Sequence, residues 1–170
     1  MNQNFEASLD FLLKSEGGFV NDPKDPGGMT NLGVTSKVWS EFKGRPTSEK
    51  EMRSLDKDDV TPLYEKKYWD ACKCDDLPSG IDYLVFDFAV NAGPGRAIKT
   101  LQKAIGVPED GDIGPVTLQN VDVMNKNELI SRFSTAKIEY YEELPTFQEF
   151  GKGWLERVDI VRGNASTLLG

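Results

Sequence analysis

The chain has 170 residues, 38% of them hydrophobic and 28% charged, which is the make-up of an ordinary soluble globular protein long enough to bury a core. A net charge of −8 excludes nucleic-acid binding by phosphate neutralisation and offers no attraction to an anionic polymer or membrane. There is no histidine, so Ser-His-Asp and Cys-His nucleophilic schemes and most catalytic zinc sites are excluded, and any general acid or base must be Asp, Glu, Lys, Tyr or Cys.

The opening segment MNQNFEASLDFLLK lacks the basic and apolar regions of a signal peptide, so the chain is expected to be made, and at first to stay, in the cytoplasm. Phe5, Leu9, Leu12 and Leu13 recur at helical spacing and predict an amphipathic helix over residues 3–15, stopped by Gly17 and Gly18. The next stretch, FVNDPKDPGGMTNLGVT, reads as a small β-hairpin lobe with DPKDPGG at the turn. SKVWSEFK predicts a short helix over 36–43, and Ser48 with Glu51 forms a capping pattern that opens another. Thr61-Pro62 reads as a helix start with proline at the first position. CKC contributes the two cysteines, Cys72 and Cys74, which are too close for an unstrained disulfide and are read as reduced thiols.

Ile81, Leu84, Val85, Phe88 and Ala89 mark a deeply buried helix over 81–92, ended by Asn91-Ala92-Gly93, and Pro94 starts the next. DGDIGP is a turn feeding a short helix; residues 127–144 form the longest candidate, closed by Pro145, and a last helix runs from about 152 to 168. No run approaches the roughly 20 apolar residues of a membrane-spanning helix. The fold class expected is α+β and mostly α: a small β-hairpin lobe packed on a larger helical lobe, with a cleft between them where a ligand would sit.

Two acids and a hydroxyl punctuate the early lobe. Glu16 sits where a helix meets glycines, with Phe11, Leu12 and Phe19 close in sequence. Crowding by those groups would favour a protonated carboxyl, the proton donor that glycosidic cleavage needs. Asp25, nine residues on in a Pro/Gly loop, is expected to be solvated and ionised, fit either to activate a water that Thr30 orients or to shield positive charge at the sugar carbon. Each of these residues taken alone is also an ordinary helix-end or turn residue. NDPKDPGG lacks the spacing of a calcium loop, and no metal or other cofactor is expected.

The run EGGFVNDPKDPGGMTNLGVT resembles the signature of the glycoside hydrolase 108 family, peptidoglycan-degrading muramidases of phages and bacteria. YEKKYWDACKCDDLPSGIDYLVFDFAVNAGPGRAIKTLQKAIGV is similar to that family's middle segment. DGDIGPVT and YYEELPTFQEFGKGWLERV resemble its C-terminal, peptidoglycan-binding segment. The resemblance implies one lysozyme-like domain over 1–170, with a catalytic signature region at 1–90 and a helical C-terminal region at 91–170. It implies hydrolysis of the β-1,4 bond between N-acetylmuramic acid and N-acetylglucosamine, with Glu16 as the acid and Asp25 and Thr30 as its catalytic partners. The Glu–Asp interval matches that of phage T4-type lysozymes and the Thr interval is one residue shorter; the spacing does not fix the stereochemical outcome, and the analogy with those enzymes implies inversion. FDFAVNAG is similar to the cleft helix of those enzymes, which makes Asn91 and Asp87 candidate substrate-binding residues. Trp69, and with it Trp39 and Trp154, are candidates to stack on sugar rings.

The partner so implied is the glycan strand of bacterial peptidoglycan, met by a monomer without stable membrane association. The role expected is that of an endolysin that reaches the wall at lysis. A lytic transglycosylase working with Glu16 alone and a non-catalytic wall-binding module are the alternatives.

Overall fold

The computed structural model describes residues 3–24 and 28–170. Helix α1 (Gln3–Ser15) turns Phe5, Leu9 and Leu12 inward, as their spacing requires. Three short antiparallel strands follow in the order β1 (Val20–Asn21), β2 (Met29–Asn31), β3 (Val34–Thr35). Val20 pairs with Thr30, and Thr30 in turn with Thr35. The β2–β3 connection is two residues, Leu32 and Gly33, both with positive φ (51° and 77°), as in a tight hairpin whose twist matches its strands. The sequence reading placed one turn in this lobe, at 22–28, and missed this second one. A leucine in that conformation is strained; the Tyr64 hydroxyl, which donates to the Leu32 carbonyl at 2.7 Å, holds it there.

Thr35 caps α2 (Ser36–Lys43) by accepting from the Val38 N–H, and Ser48 caps α3 (Glu49–Ser54) by accepting from that of Glu51. Helix α4 (Lys57–Tyr64) begins earlier than the proline suggested. Asp56 and Asp59 form a reciprocal capping box, and Pro62 lies inside the helix. The following turn, Glu65–Trp69, widens to a π-helix, with the Asp70 N–H reaching back to Glu65 at 2.8 Å.

Helix α5 (Ile81–Ala92) is the axle of the molecule and is buried at every position from Ile81 to Ala89. Around it pack α1, α6 (Pro94–Ile105), α8 (Lys126–Glu142) and α9 (Phe147–Leu169), with α7 (Pro115–Val123) against α6. Aromatic edges knit the core: Phe5, Trp69 and Phe86 on one side of α5, and Phe88, Phe133 and Tyr141 on the other. Helix α9 starts several residues before the expected 152 and runs through Gly151 and Gly153. Gly151 is required there, because a Cβ would meet the Phe147 ring at 2.6 Å. The mostly helical, lysozyme-like α+β architecture agrees with expectation. Among the described residues, no helix is long and apolar enough to cross a membrane.

Candidate active site

Glu16 is the first residue past α1, where the helix lobe passes into the sheet. The Leu32 N–H donates to the Gly17 carbonyl at 3.2 Å, tying this exit to the β2–β3 turn. Gly33 then lies directly against the acid. A Cβ at Gly33 would stand 2.9 Å from Glu16 Cγ and 2.7 Å from the Tyr64 hydroxyl, so only glycine lets the turn, the tyrosine and the carboxylate converge. Burial, with the nearby Glu16 charge, pushes the Tyr64 hydroxyl well above its ordinary pKa, so it remains a neutral donor.

An apolar crowd of Phe11, Leu12 and Phe19 around Glu16 was expected. The structure pairs the acid with a cation that the sequence did not suggest. Both terminal nitrogens of Arg157, on α9, lie 3.5 Å from Glu16 Oε1. The pair spans 141 residues of sequence, and both side chains are about one-fifth exposed. Arg157 also offsets the unfavourable end of the α1 dipole. The same guanidinium donates to Asp87 Oδ1 at 3.0 Å, and Lys137 donates to Asp87 Oδ2 at 3.2 Å. Four alternating charges, Glu16, Arg157, Asp87 and Lys137, thus run from the partly open seam into the core. Burial works against the Arg157 charge, but the two carboxylates outweigh it and hold its pKa above the usual range. Burial dominates at Lys137 and lowers its pKa, although Asp87 opposes the shift. Among the described residues, Arg157 Nε is a buried donor with no partner.

This geometry revises two expectations. Asp87 is only 1% exposed and is gripped by two cations, so it is a support for Arg157 and offers nothing to a glycan. Trp69 is also 1% exposed, with its ring edge-on to Phe5 and Phe86 and its Nε1 donating to Asp75 at 2.8 Å; it is core and presents no face to a sugar. Trp39 is buried as well, tied through Nε1 to Glu51. Asn91 is exposed at the end of α5 and donates to the Asp87 backbone carbonyl at 3.2 Å. Thr30 is half-buried in the middle strand. Asp25 lies outside the described residues. Cys72 and Cys74 are free and buried, and burial together with Cys72 raises the Cys74 pKa well above that of an ordinary thiol.

Arg157 and Lys137 escaped the sequence reading, but each left a trace. Arg157 occupies the inward stripe of α9 with Val158, Val161 and Ala165, and Lys137 that of α8 with Phe133 and Tyr141. A charge on a buried stripe needs a partner, and here the partner is Asp87.

Residues 9–93 match the family model described as Glycosyl hydrolase 108, and residues 96–159 match the one described as Predicted Peptidoglycan domain. No curated protein matches the chain. Among solved structures, that of Brucella abortus SagA is similar to this chain, with 41% identity and a TM-score of 0.87, covering 97% of this chain and 95% of that one.

Proposed function

The chain belongs to the glycosyl hydrolase 108 family and is a glycoside hydrolase of peptidoglycan, and we propose that it is a muramidase using Glu16 as its general acid. On this reading it cleaves the β-1,4 bond between N-acetylmuramic acid and N-acetylglucosamine. Protonated Glu16 gives its proton to the glycosidic oxygen as the bond to the anomeric carbon breaks. The Asp25 carboxylate takes a proton from the attacking water, and Thr30 orients that water. The water supplies the new hydroxyl at the reducing end. Inversion requires room for the water, a carboxyl separation of roughly 6.5–9.5 Å. Asn91 binds the glycan at the end of α5.

The observation that carries the reading is the placement of Glu16: partly exposed at the seam of the two lobes and held at 3.5 Å by Arg157. Arg157 orients the acid. Asp87 shares the same guanidinium, accepting from it at 3.0 Å, and so fixes the position of Arg157 beside the acid. The two family matches meet in this network, since Asp87 lies in the first and Arg157 in the second. We therefore read residues 1–170 as one domain in which the C-terminal half completes the hydrolase. The biological role proposed is that of a phage endolysin. It is monomeric, independent of metal and cofactor, held in the host cytoplasm, and admitted to the wall through a membrane lesion made by another protein.

Glu16→Gln tests the reading. Release of reducing ends from purified sacculi should fall about a thousandfold or more, with the fold kept. Turnover at the unsubstituted rate would remove Glu16 from the mechanism. Mass analysis of the fragments separates hydrolysis from transglycosylation, whose products are lighter by one water.

A further inference from the structure

Beside the acid, helix α9 carries a second feature that the catalytic reading leaves unused. Phe150 and Trp154 precede Arg157 by seven and three residues, so Phe150 lies on the Arg157 face about 10 Å along the axis, with Trp154 between them. Phe150 is 48% exposed, although it is a large apolar side chain. Trp154 is half-buried and sits in an aromatic cluster. It stacks on Tyr141 at 5.1 Å and 29°, with Phe150 at 5.9 Å and Phe147 at 6.5 Å. Beneath, Tyr141 meets the core ring of Phe88 at 5.9 Å, so the cluster is rooted and its outer rings are held in place.

We infer that Phe150 and Trp154 form an aromatic platform that binds N-acetylhexosamine rings of the glycan strand on the Arg157 side of the acid. The inference rests on the muramidase reading for its ligand and names where that ligand lies. Pyranose rings present C–H faces, and aromatic faces carry the negative side of a quadrupole, so the two stack without any ionic contribution. A chain of net charge −8 needs such a contact, because it has no surplus of cations to hold a wall polymer. The platform's surroundings agree. Glu149 and Glu156 are exposed beside it, which disfavours nucleic acid and anionic lipid as occupants. Tyr140, in ring contact with Tyr141 at 5.8 Å, carries the Arg96 guanidinium over its face at 5.4 Å, a source of donors for hydroxyl or acetamido oxygens. All of these residues lie within the span matching the peptidoglycan family model.

Tryptophan fluorescence reads this site directly. The chain has three tryptophans; Trp39 and Trp69 are 2% and 1% exposed, which leaves Trp154 as the reporter. Titrating Glu16→Gln protein with a tetramer of N-acetylglucosamine should change its emission, and Trp154→Phe should abolish that change. Phe150→Ala, at an exposed position, should raise the dissociation constant about tenfold and lower kcat/KM on sacculi by a similar factor in the otherwise unsubstituted enzyme.

If the unsubstituted enzyme releases reducing ends but the tetramer leaves its emission unaltered and Phe150→Ala binds sacculi normally, the platform is refuted and the hydrolase stands. If the tetramer perturbs Trp154 and no reducing ends appear, the platform stands and the muramidase reading fails. A concentration-dependent dimer that Phe150→Ala dissolves would assign the patch to a second copy and overturn the inference.

Discussion

At the scale of single residues, the molecule turns on one carboxylate with two cationic partners. Asp87 is buried and engages Arg157 at 3.0 Å and Lys137 at 3.2 Å, so its neutralisation strands two charges at once. Breaking a buried pair by removing one partner costs about 3–5 kcal/mol, because the remaining charge keeps its desolvation penalty. Asp87→Asn should therefore lose about that much in a denaturant titration at neutral pH. Lys137→Met should lose clearly less, since the methionine fills the stem's volume and Arg157 still compensates Asp87. Equal losses in the two variants would show that Asp87 does not bridge the pair.

These residues also mark how far the site could be read from sequence. Glu16 was legible because its local context, a helix end against glycines, is written in consecutive residues. Its counter-ion was not, because Arg157 is 141 residues away and only the packing of α9 against α8 and α5 brings it near. Trp69 was misread because helical spacing reports that a ring faces inward or outward only when the neighbouring elements are known.

Among elements, α5 sets the balance between burial and charge. Its first turn carries Asp82, whose Oδ1 accepts from the N–H groups of Gly80 at 2.9 Å and Tyr83 at 2.7 Å and whose Oδ2 accepts from Asn4 at 3.1 Å. Burial nonetheless wins over these bonds and pushes its pKa up from 3.8 to about 6. Between those values the folded chain binds more protons than the unfolded one, so stability falls as pH rises from about 4 to 6, by at most about 3 kcal/mol. Urea midpoints at pH 4 and pH 7 should differ in that sense, and Asp82→Asn should shrink the difference. Glu51 acts with the opposite sign in a lower window. Bonds from Arg45, Trp39 and Thr47 hold its pKa down to about 2, so its contribution is present above its ordinary 4.5 and is lost on acidification.

Element boundaries were largely legible where local signals dominate. Helices over 3–15, 36–43, 81–92 and 94–105 agree with their periodicity and their glycine or proline punctuation. Local signals failed where tertiary contacts override propensity. Pro62 sits inside α4 because the Asp56–Asp59 box fixes an earlier start, and Gly151 sits inside α9 because the Phe147 ring occupies the place of its side chain.

For the whole molecule, the surplus of carboxylates governs how it meets a wall. Sacculi carry carboxylates of their own, so the long-range interaction is repulsive and salt screens it. The rate of sacculus clearing should rise between about 0.03 and 0.3 M salt, where a basic hydrolase would slow. A falling rate would mean that a local basic surface governs the encounter.

The order of the chain adds a consequence in time. Glu16 is made 141 residues before its guanidinium partner, which belongs to α9, a helix packed on α8 and α5 and also tied to the body where the Ser79 hydroxyl donates to the Leu168 carbonyl at 2.9 Å. A nascent chain still short of that helix therefore lacks the cation that holds Glu16, and the charge network can assemble only once α9 has been made.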